Sequence, residues 1–287
     1  MSEIPQWFWD AVETKPETGT LEVEGADINY LYWSEAGNPG LLFVHGHNAH
    51  AHWWDFIAPS FREEYQTVAL DLSGMGDSDH RDDYSMDLYA KEIVAVADEL
   101  KMPEDTIVVA HSFGGRMSLH ALAQHPGRFG GLVLVDSGVR HPDDERPQGV
   151  ERWSKPKVYP DFETAKERFR LQPPQNCDNP WIVEYIARNS VEFDGDGWVW
   201  KFDEELNMRM DASGSTEEDF KALDCRVAEI YGEQSRYFSA KSAEYMKELK
   251  PGLEVYPMAD AQHHLFLDQP LAFIESLKTV LTGWRAS

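Results

Sequence analysis

Three short stretches of this chain hold side chains able to carry out acyl transfer together. The first is "TIVVAHSFGGRMSLHALAQHP", residues 106–126, which sets Ser112 between a β-branched run and an amphipathic one. A strand that turns abruptly into a helix lifts a serine hydroxyl clear of the backbone. It also aims the first amides of the helix at an incoming carbonyl oxygen. Ala110, Gly114 and Gly115 supply the small side chains that so crowded a turn demands. A serine hydroxyl is a weak nucleophile at neutral pH, and it needs an imidazole to take its proton and a carboxylate to orient that imidazole. "DAQHHLFLDQP" near the C-terminus offers His263 and His264, and "LVLVDSG" offers Asp136, 24 residues beyond Ser112.

The small-x-Ser-x-Gly pattern alone equally describes a serine capping a helix before a glycine-containing turn, so the elements around it decide. From residue 20 to 136, extended apolar runs alternate with helical ones: "TLEVEGADI", "NYLYWSE", "GLLFVHG", a helix from about Ala51, "QTVALDL", a helix from about Met86, "TIVVAHS", a helix from about Phe113, then "GGLVLVD". This predicts an α/β fold with a mostly parallel sheet covered on both faces. The first two runs leave no room for a helix between them, so they predict an antiparallel hairpin at the sheet edge, with "GADINY" as its tight turn.

The alternation stops after Asp136. Residues 138–223 are proline-rich, charged and aromatic, with helices expected near 161–170 and 180–189 and a tight turn in "FDGDGWVWKFD". Alternation resumes with "CRVAEIYGE", a helix from about Ser239, "LEVYPM" and a final helix from about Pro270. The expected organisation is a core of residues 1–137 and 224–287 interrupted by a mainly helical cap of residues 138–223.

A chain of 287 residues with 42% hydrophobic content can bury one large core. The 51 acidic against 26 basic residues leave a formal charge of −25, which repels nucleic-acid phosphates and anionic membranes. The expected partner is a small-molecule substrate. Cys177 and Cys225 suit no metal or redox spacing and read as reduced, packed thiols. "MSEIPQWFWDAVETK" lacks a basic segment followed by an apolar run, and no apolar stretch is long enough to span a bilayer, so a cytoplasmic location is expected. No motif speaks to oligomeric state.

Taken together, "LLFVHGHNAHAHWW", "VAHSFGG", "LVLVDSG" and "MADAQHHLFLDQPLAF" resemble the α/β-hydrolase superfamily in order and spacing over nearly the full chain. The resemblance implies Ser112 as nucleophile after the fifth strand, and His263 as base. In a parallel-sheet hydrolase the second of two adjacent histidines, here His264, packs or bonds locally. Gln262 stands where the family usually has glycine before its histidine. The resemblance also implies an oxyanion hole from the amides of Phe113 and of His47, which follows His45 and Gly46. "DLSGMGDSD", residues 71–79, looks like the family's Gly-x-Gly-x-Ser turn. It is not a dinucleotide fingerprint, since the third glycine is missing.

The acid departs from the family's commonest pattern. Most members carry Gly-x-x-Asp after the seventh strand, where this chain reads Gly232-Glu233-Gln234-Ser235. An alternative position after the sixth strand is known in the family, and Asp136 stands there. Glu233 and then Asp260 are the other candidates. The competing view of Asp136 is a strand-end residue capping the next turn.

His45, His47, His50 and His52 invite a metal reading, but His50 and His52 lie two apart, facing different sides of the expected helix. No metal and no cofactor are expected. His47, Asn48 and His111 are placed either to bond a substrate carbonyl or hydroxyl at the mouth of the oxyanion hole or to bond locally within turns. Trp53 and Trp54 read as core. Trp153, Phe162, Phe169, Trp181 and Tyr185 could wall an apolar acyl pocket, and their spacing equally suits the cap's own core.

The resemblance implies a serine hydrolase of small to medium apolar esters. Hydrolases of carbon-carbon bonds in ring-cleavage products and cofactor-free dioxygenases share the scaffold. A ligand-binding protein built on it is the non-enzymatic alternative. Haloalkane dehalogenases and epoxide hydrolases are excluded, because their nucleophile is Asp where this chain has Ser112.

Overall fold

A computed structural model describes residues 4–34, 38–144 and 157–285. Eight strands form one sheet: β1 (Glu17–Val23), β2 (Ala26–Tyr32), β3 (Gly40–Val44), β4 (Gln66–Leu70), β5 (Ile107–His111), β6 (Gly131–Val135), β7 (Arg226–Gly232) and β8 (Glu254–Met258). Their order is β1-β2-β4-β3-β5-β6-β7-β8. Every neighbouring pair from β4 to β8 is parallel, while β1 and β2 are antiparallel at the edge.

The hairpin turns earlier than its sequence predicts. Glu24 and Gly25 both take positive φ, 49° and 80°, which is the geometry a two-residue turn between twisted strands requires. The turn therefore takes only Gly25 from "GADINY", whose remaining residues begin β2. A second difference follows Ala51, where two 3-10 turns, Ala51–Trp54 and Ala58–Phe61, replace the expected helix. Pro59 lies within the second, and a proline inside a longer helix would remove a backbone bond.

All five residues of β3, of β5 and of β6 are buried, as both-face coverage demands. On one face, Leu42, Val44 and Val108 pack in a cluster with α2 (Met86–Glu99) and α3 (Phe113–Gln124). On the other, Leu41, Phe43 and Val109 share a cluster with Trp54 and the C-terminal helix Pro270–Arg285. Trp53 and Trp54 are both buried there. Phe8 and Val12, one helical turn apart on α1 (Gln6–Glu13), join this second cluster.

Between β6 and β7 the described part of the insertion holds helices Phe162–Glu167, Pro180–Asn189, Leu206–Arg209 and Thr216–Ala222 and an antiparallel pair, Val191–Phe193 with Trp198–Trp200. Buried polar bonds tie it to the sheet domain: Tyr84 donates to Asp203 at 2.8 Å, and His50 meets Ser190 at 2.8 Å. No helix among the described residues is long and apolar enough to cross a membrane.

Candidate active site

Ser112 sits at the junction of β5 and α3 with φ 52° and ψ −116°. A non-glycine residue held there costs about 1–3 kcal/mol, which the surrounding packing must offset. That packing is tight. A β-carbon on Gly114 would lie 2.2 Å from the His45 carbonyl oxygen, and one on Gly115 would lie 2.3 Å from Ser137 Oγ. The glycines are what allow α3 to start this close to β3.

His263 follows β8 and is buried, at 4% exposure. Its Nε2 lies 2.9 Å from Ser112 Oγ and its Nδ1 lies 2.6 Å from Asp136 Oδ2. Asp136, just past β6, takes φ 47° and anchors its backbone by donating its amide to Ile230. Its other oxygen accepts the Gly232 amide at 3.0 Å. Because a carboxylate only accepts, Nδ1 of His263 carries a proton and Nε2 is free to accept from Ser112. Asp136, His263 and Ser112 thus form one continuous hydrogen-bonded chain, able to draw the proton from a serine hydroxyl.

Ser235 was not among the sequence candidates for a site role. It occupies the position where the family pattern has its acid, and its hydroxyl donates to Asp136 Oδ2 at 2.6 Å. The same Oγ accepts the amides of Tyr237 and Phe238. Two structural segments therefore converge on one carboxylate. The alternatives lie elsewhere: Glu233 is exposed, and Asp260 accepts a bond from Gln234.

Phe113 is the first residue of α3, so its amide has no partner one turn back within the helix. The His47 amide likewise donates to no acceptor among the described residues, and the His47 and Phe113 rings meet edge to face at 5.5 Å. His45 fixes the turn between them. Its Nδ1 donates to the Gly46 carbonyl and its Nε2 accepts the Leu72 amide, so the ring is neutral, in keeping with a pKa lowered by burial.

His111 is buried, and its Nε2 donates at 3.0 Å to the carbonyl of His263, steadying the loop that carries the imidazole, a local bond of the kind that was the alternative for it. Asn48 takes φ 54° and gives its amide to Met75 Sδ, the local bonding that was the alternative for it. Phe169 and Trp181 are half-buried against the second apolar cluster, with the Phe169 ring 6.1 Å from that of Trp200. Trp153 lies outside the described residues. His47 reaches further than expected, its Nε2 donating at 3.0 Å to Asn207 Oδ1 in the insertion.

The four early histidines have separate partners: His50 bonds Ser190 and His52 bonds Asp55, apart from His45 and His47. A different trio, His111, His263 and His264, brings one ring nitrogen each within 4.8 Å of one another. Both nitrogens of His263 are already engaged, so a cation there would have to compete with Ser112 and Asp136.

A profile of the alpha/beta hydrolase family matches residues 41–276. The chain belongs to that family. Among similar hydrolases, it is 28% identical over 268 residues to esterase Rv0045c of Mycobacterium tuberculosis, covering 90% of this chain and 88% of that one. It is 25% identical over 251 residues to the pimeloyl-[acyl-carrier protein] methyl ester esterase of Neisseria meningitidis, covering 85% and 77%. Among solved structures, E-2-(acetamidomethylene)succinate hydrolase shares the fold of this hydrolase at a TM-score of 0.79, with 17% identity over 93% of this chain and 99% of the other.

Proposed function

We propose that this hydrolase is a serine esterase acting on small to medium carboxylic esters, with residues 138–223 as the cap over its site. The observation that carries the reading is the unbroken chain from Asp136 through His263 to Ser112. Ser112 Oγ attacks the ester carbonyl while His263 Nε2 takes its proton. The ester C–O bond breaks, and the same proton passes to the leaving alkoxide. Water then attacks the acyl-serine, giving a proton to His263 and its hydroxide to the acyl carbon, and the proton returns to Ser112 as the acid departs.

The amides of His47 and Phe113 are the proposed donors to the oxyanion, each worth on the order of 3 kcal/mol. Every proton and electron pair in the cycle is handled by these side chains and water, so the reading calls on no cofactor. Esterase names among the relatives support the same reaction class. The test is hydrolysis of p-nitrophenyl acetate by the native protein and Ser112→Ala side by side. Activity that disappears in the variant is expected; equal turnover by both would overturn the assignment.

A further inference from the structure

A cavity of about 430 Å³ opens beside His263, bounded by the 170–176 segment, the turn after β7 and the loop that carries His263. Four amide side chains, Gln175, Asn176, Gln234 and Gln262, and two cations, Arg170 and Arg236, line it. No carboxylate lines it, in a chain with 51 acidic residues against 26 basic ones. The carboxylates behind it are turned to structural work. Asp268 accepts from Gln175 and from the Gln262 amide, and Asp260 accepts from Gln234.

Neither arginine is neutralised. Arg170 gives Nη1 to the carbonyls of Glu167 and Phe169, which carry no net charge. Arg236 is exposed and has no hydrogen-bond or ion-pair partner among the described residues. Several other cations on this surface are paired, Arg128 with Asp98, Lys166 with Glu184, Arg188 with Glu184 and Arg285 with Glu64, whereas these two share one cavity without a carboxylate. Two unpaired guanidinium groups beside the imidazole, walled by amide donors, make a receptor for an anionic oxygen group.

The position of the cavity indicates which half of the substrate bears that group. In the proposed cycle the leaving alkoxide must come within hydrogen-bond reach of His263 Nε2 to take its proton. The carbonyl oxygen points away, towards the His47 and Phe113 amides. The alcohol half of the ester is therefore the half that extends along His263, where the Tyr237 ring lies 4.9 Å from the imidazole ring. We infer that the groove binds an anionic group, a carboxylate or a phosphate, on the alcohol half of the ester, through Arg236 and Arg170. This inference rests on the esterase reading of the site and adds a charged group to the apolar ester expected from the sequence.

The test compares 4-acetoxybutanoate with the neutral pentyl acetate, which leaves the acyl group and chain length alike, and follows acetate release. The native protein is expected to favour the charged ester by about tenfold in kcat/KM, the gain lying in KM. Arg236→Ala should lower the rate on the charged ester about tenfold more than on the neutral one. Arg170→Ala should do so to a smaller degree. The preference should shrink between 50 mM and 500 mM salt, because exposed charges are screened over about 10 Å at 0.1 M. If only the net charge of −25 mattered, salt would instead help the charged ester.

Equal or better turnover of the neutral ester by the native protein would overturn the inference and leave the esterase reading intact. So would an Arg236→Ala loss equal on both esters. Failure to turn over either ester would count against the esterase reading itself. The phosphate-terminated counterpart, 3-(phosphonooxy)propyl acetate, separates the two anions: the one with the larger Arg236-dependent gain is the group the groove takes.

Discussion

Ser235 and Asp136 stand 99 residues apart in the chain and meet in a 2.6 Å hydrogen bond at the oxygen that also faces His263. The position after β7 where the family pattern has its acid thus lies beside the imidazole and here carries a neutral hydroxyl. The carboxylate now comes from the end of β6. Its oxygens are fully occupied, by Gly232 on one side and by His263 and Ser235 on the other.

Asp136→Asn should lower kcat about ten-thousandfold, because an amide stabilises neither the charge nor the proper tautomer of the imidazole. Ser235→Ala should cost far less, about tenfold to a hundredfold, the worth of one hydrogen bond to a charged group. The convergence of the two segments makes a sharper prediction. Asp136→Asn combined with Ser235→Asp should recover at least about tenfold of the lost kcat, since a carboxylate returns to the same side of His263. Steady-state kinetics on p-nitrophenyl acetate would decide it. A double variant no faster than Asp136→Asn would show that the two positions are not interchangeable.

Asn207→Ala should weaken catalysis through the oxyanion side. The His47 ring is held by Asn207 Oδ1 at 3.0 Å, and the His47 amide is one of the two proposed oxyanion donors. Freeing the ring loosens the turn that aims this amide, and the loss should appear in kcat, by about threefold to tenfold, rather than in thermal stability. A purely structural role would lower the melting temperature and leave kcat of the folded protein unaltered.

The alternation of strands and helices and the edge hairpin were legible in the apolar periodicity, and Ser112 and Asp136 stood out because each falls at the end of an apolar run; His263, five residues past the last strand, was legible only through the family resemblance. Ser235 was legible only as a missing acid: its type argued against an ionic role and said nothing about donating to another carboxylate. His111 was left between two readings because its type does not show which way it faces; β5 is buried on both faces and carries it inside. Arg170 and Arg236 lie 66 positions apart in segments with no periodic pattern, so their meeting at one cavity depends on how the insertion folds back. The 3-10 turns after Ala51 replaced a helix because Pro59 interrupts the pattern.

Gly114→Ala sets two effects of opposite sign against each other. Alanine within α3 should gain about 1 kcal/mol in helix propensity. Its β-carbon, however, would fall 2.2 Å from the His45 carbonyl oxygen and 3.0 Å from that of Val44, both backbone atoms that cannot rotate away. Overpacking of this kind costs about 1–3 kcal/mol or more, so the clash wins. Thermal unfolding should show a melting temperature lowered by several degrees, and turnover should fall because α3 carries the Phe113 amide. A stabilised variant would mean that α3 can slide along the sheet.

Glu229 is a fully buried carboxyl on β7, and its Oε1 accepts the Ser137 amide at 3.3 Å, one residue from Asp136. Burial first, and the neighbouring charge of Asp136 second, push its pKa well above the ordinary carboxylate value. In the fold it therefore keeps its proton above the pH at which an ordinary carboxyl loses it. In the unfolded chain Glu229 ionises near its ordinary value of about 4.3. Above that pH the native state holds a proton that the unfolded state has released, and stability falls as pH rises. Glu229→Gln mimics the neutral acid and removes this dependence. The variant should match the native protein in melting temperature near pH 4 and exceed it by a margin that widens from pH 5 to pH 8. Its turnover should follow the same pH profile as that of the native protein, because the substitution leaves Asp136 and its hydrogen bond to His263 in place. A margin that narrows with rising pH would show that Glu229 is ionised in the fold.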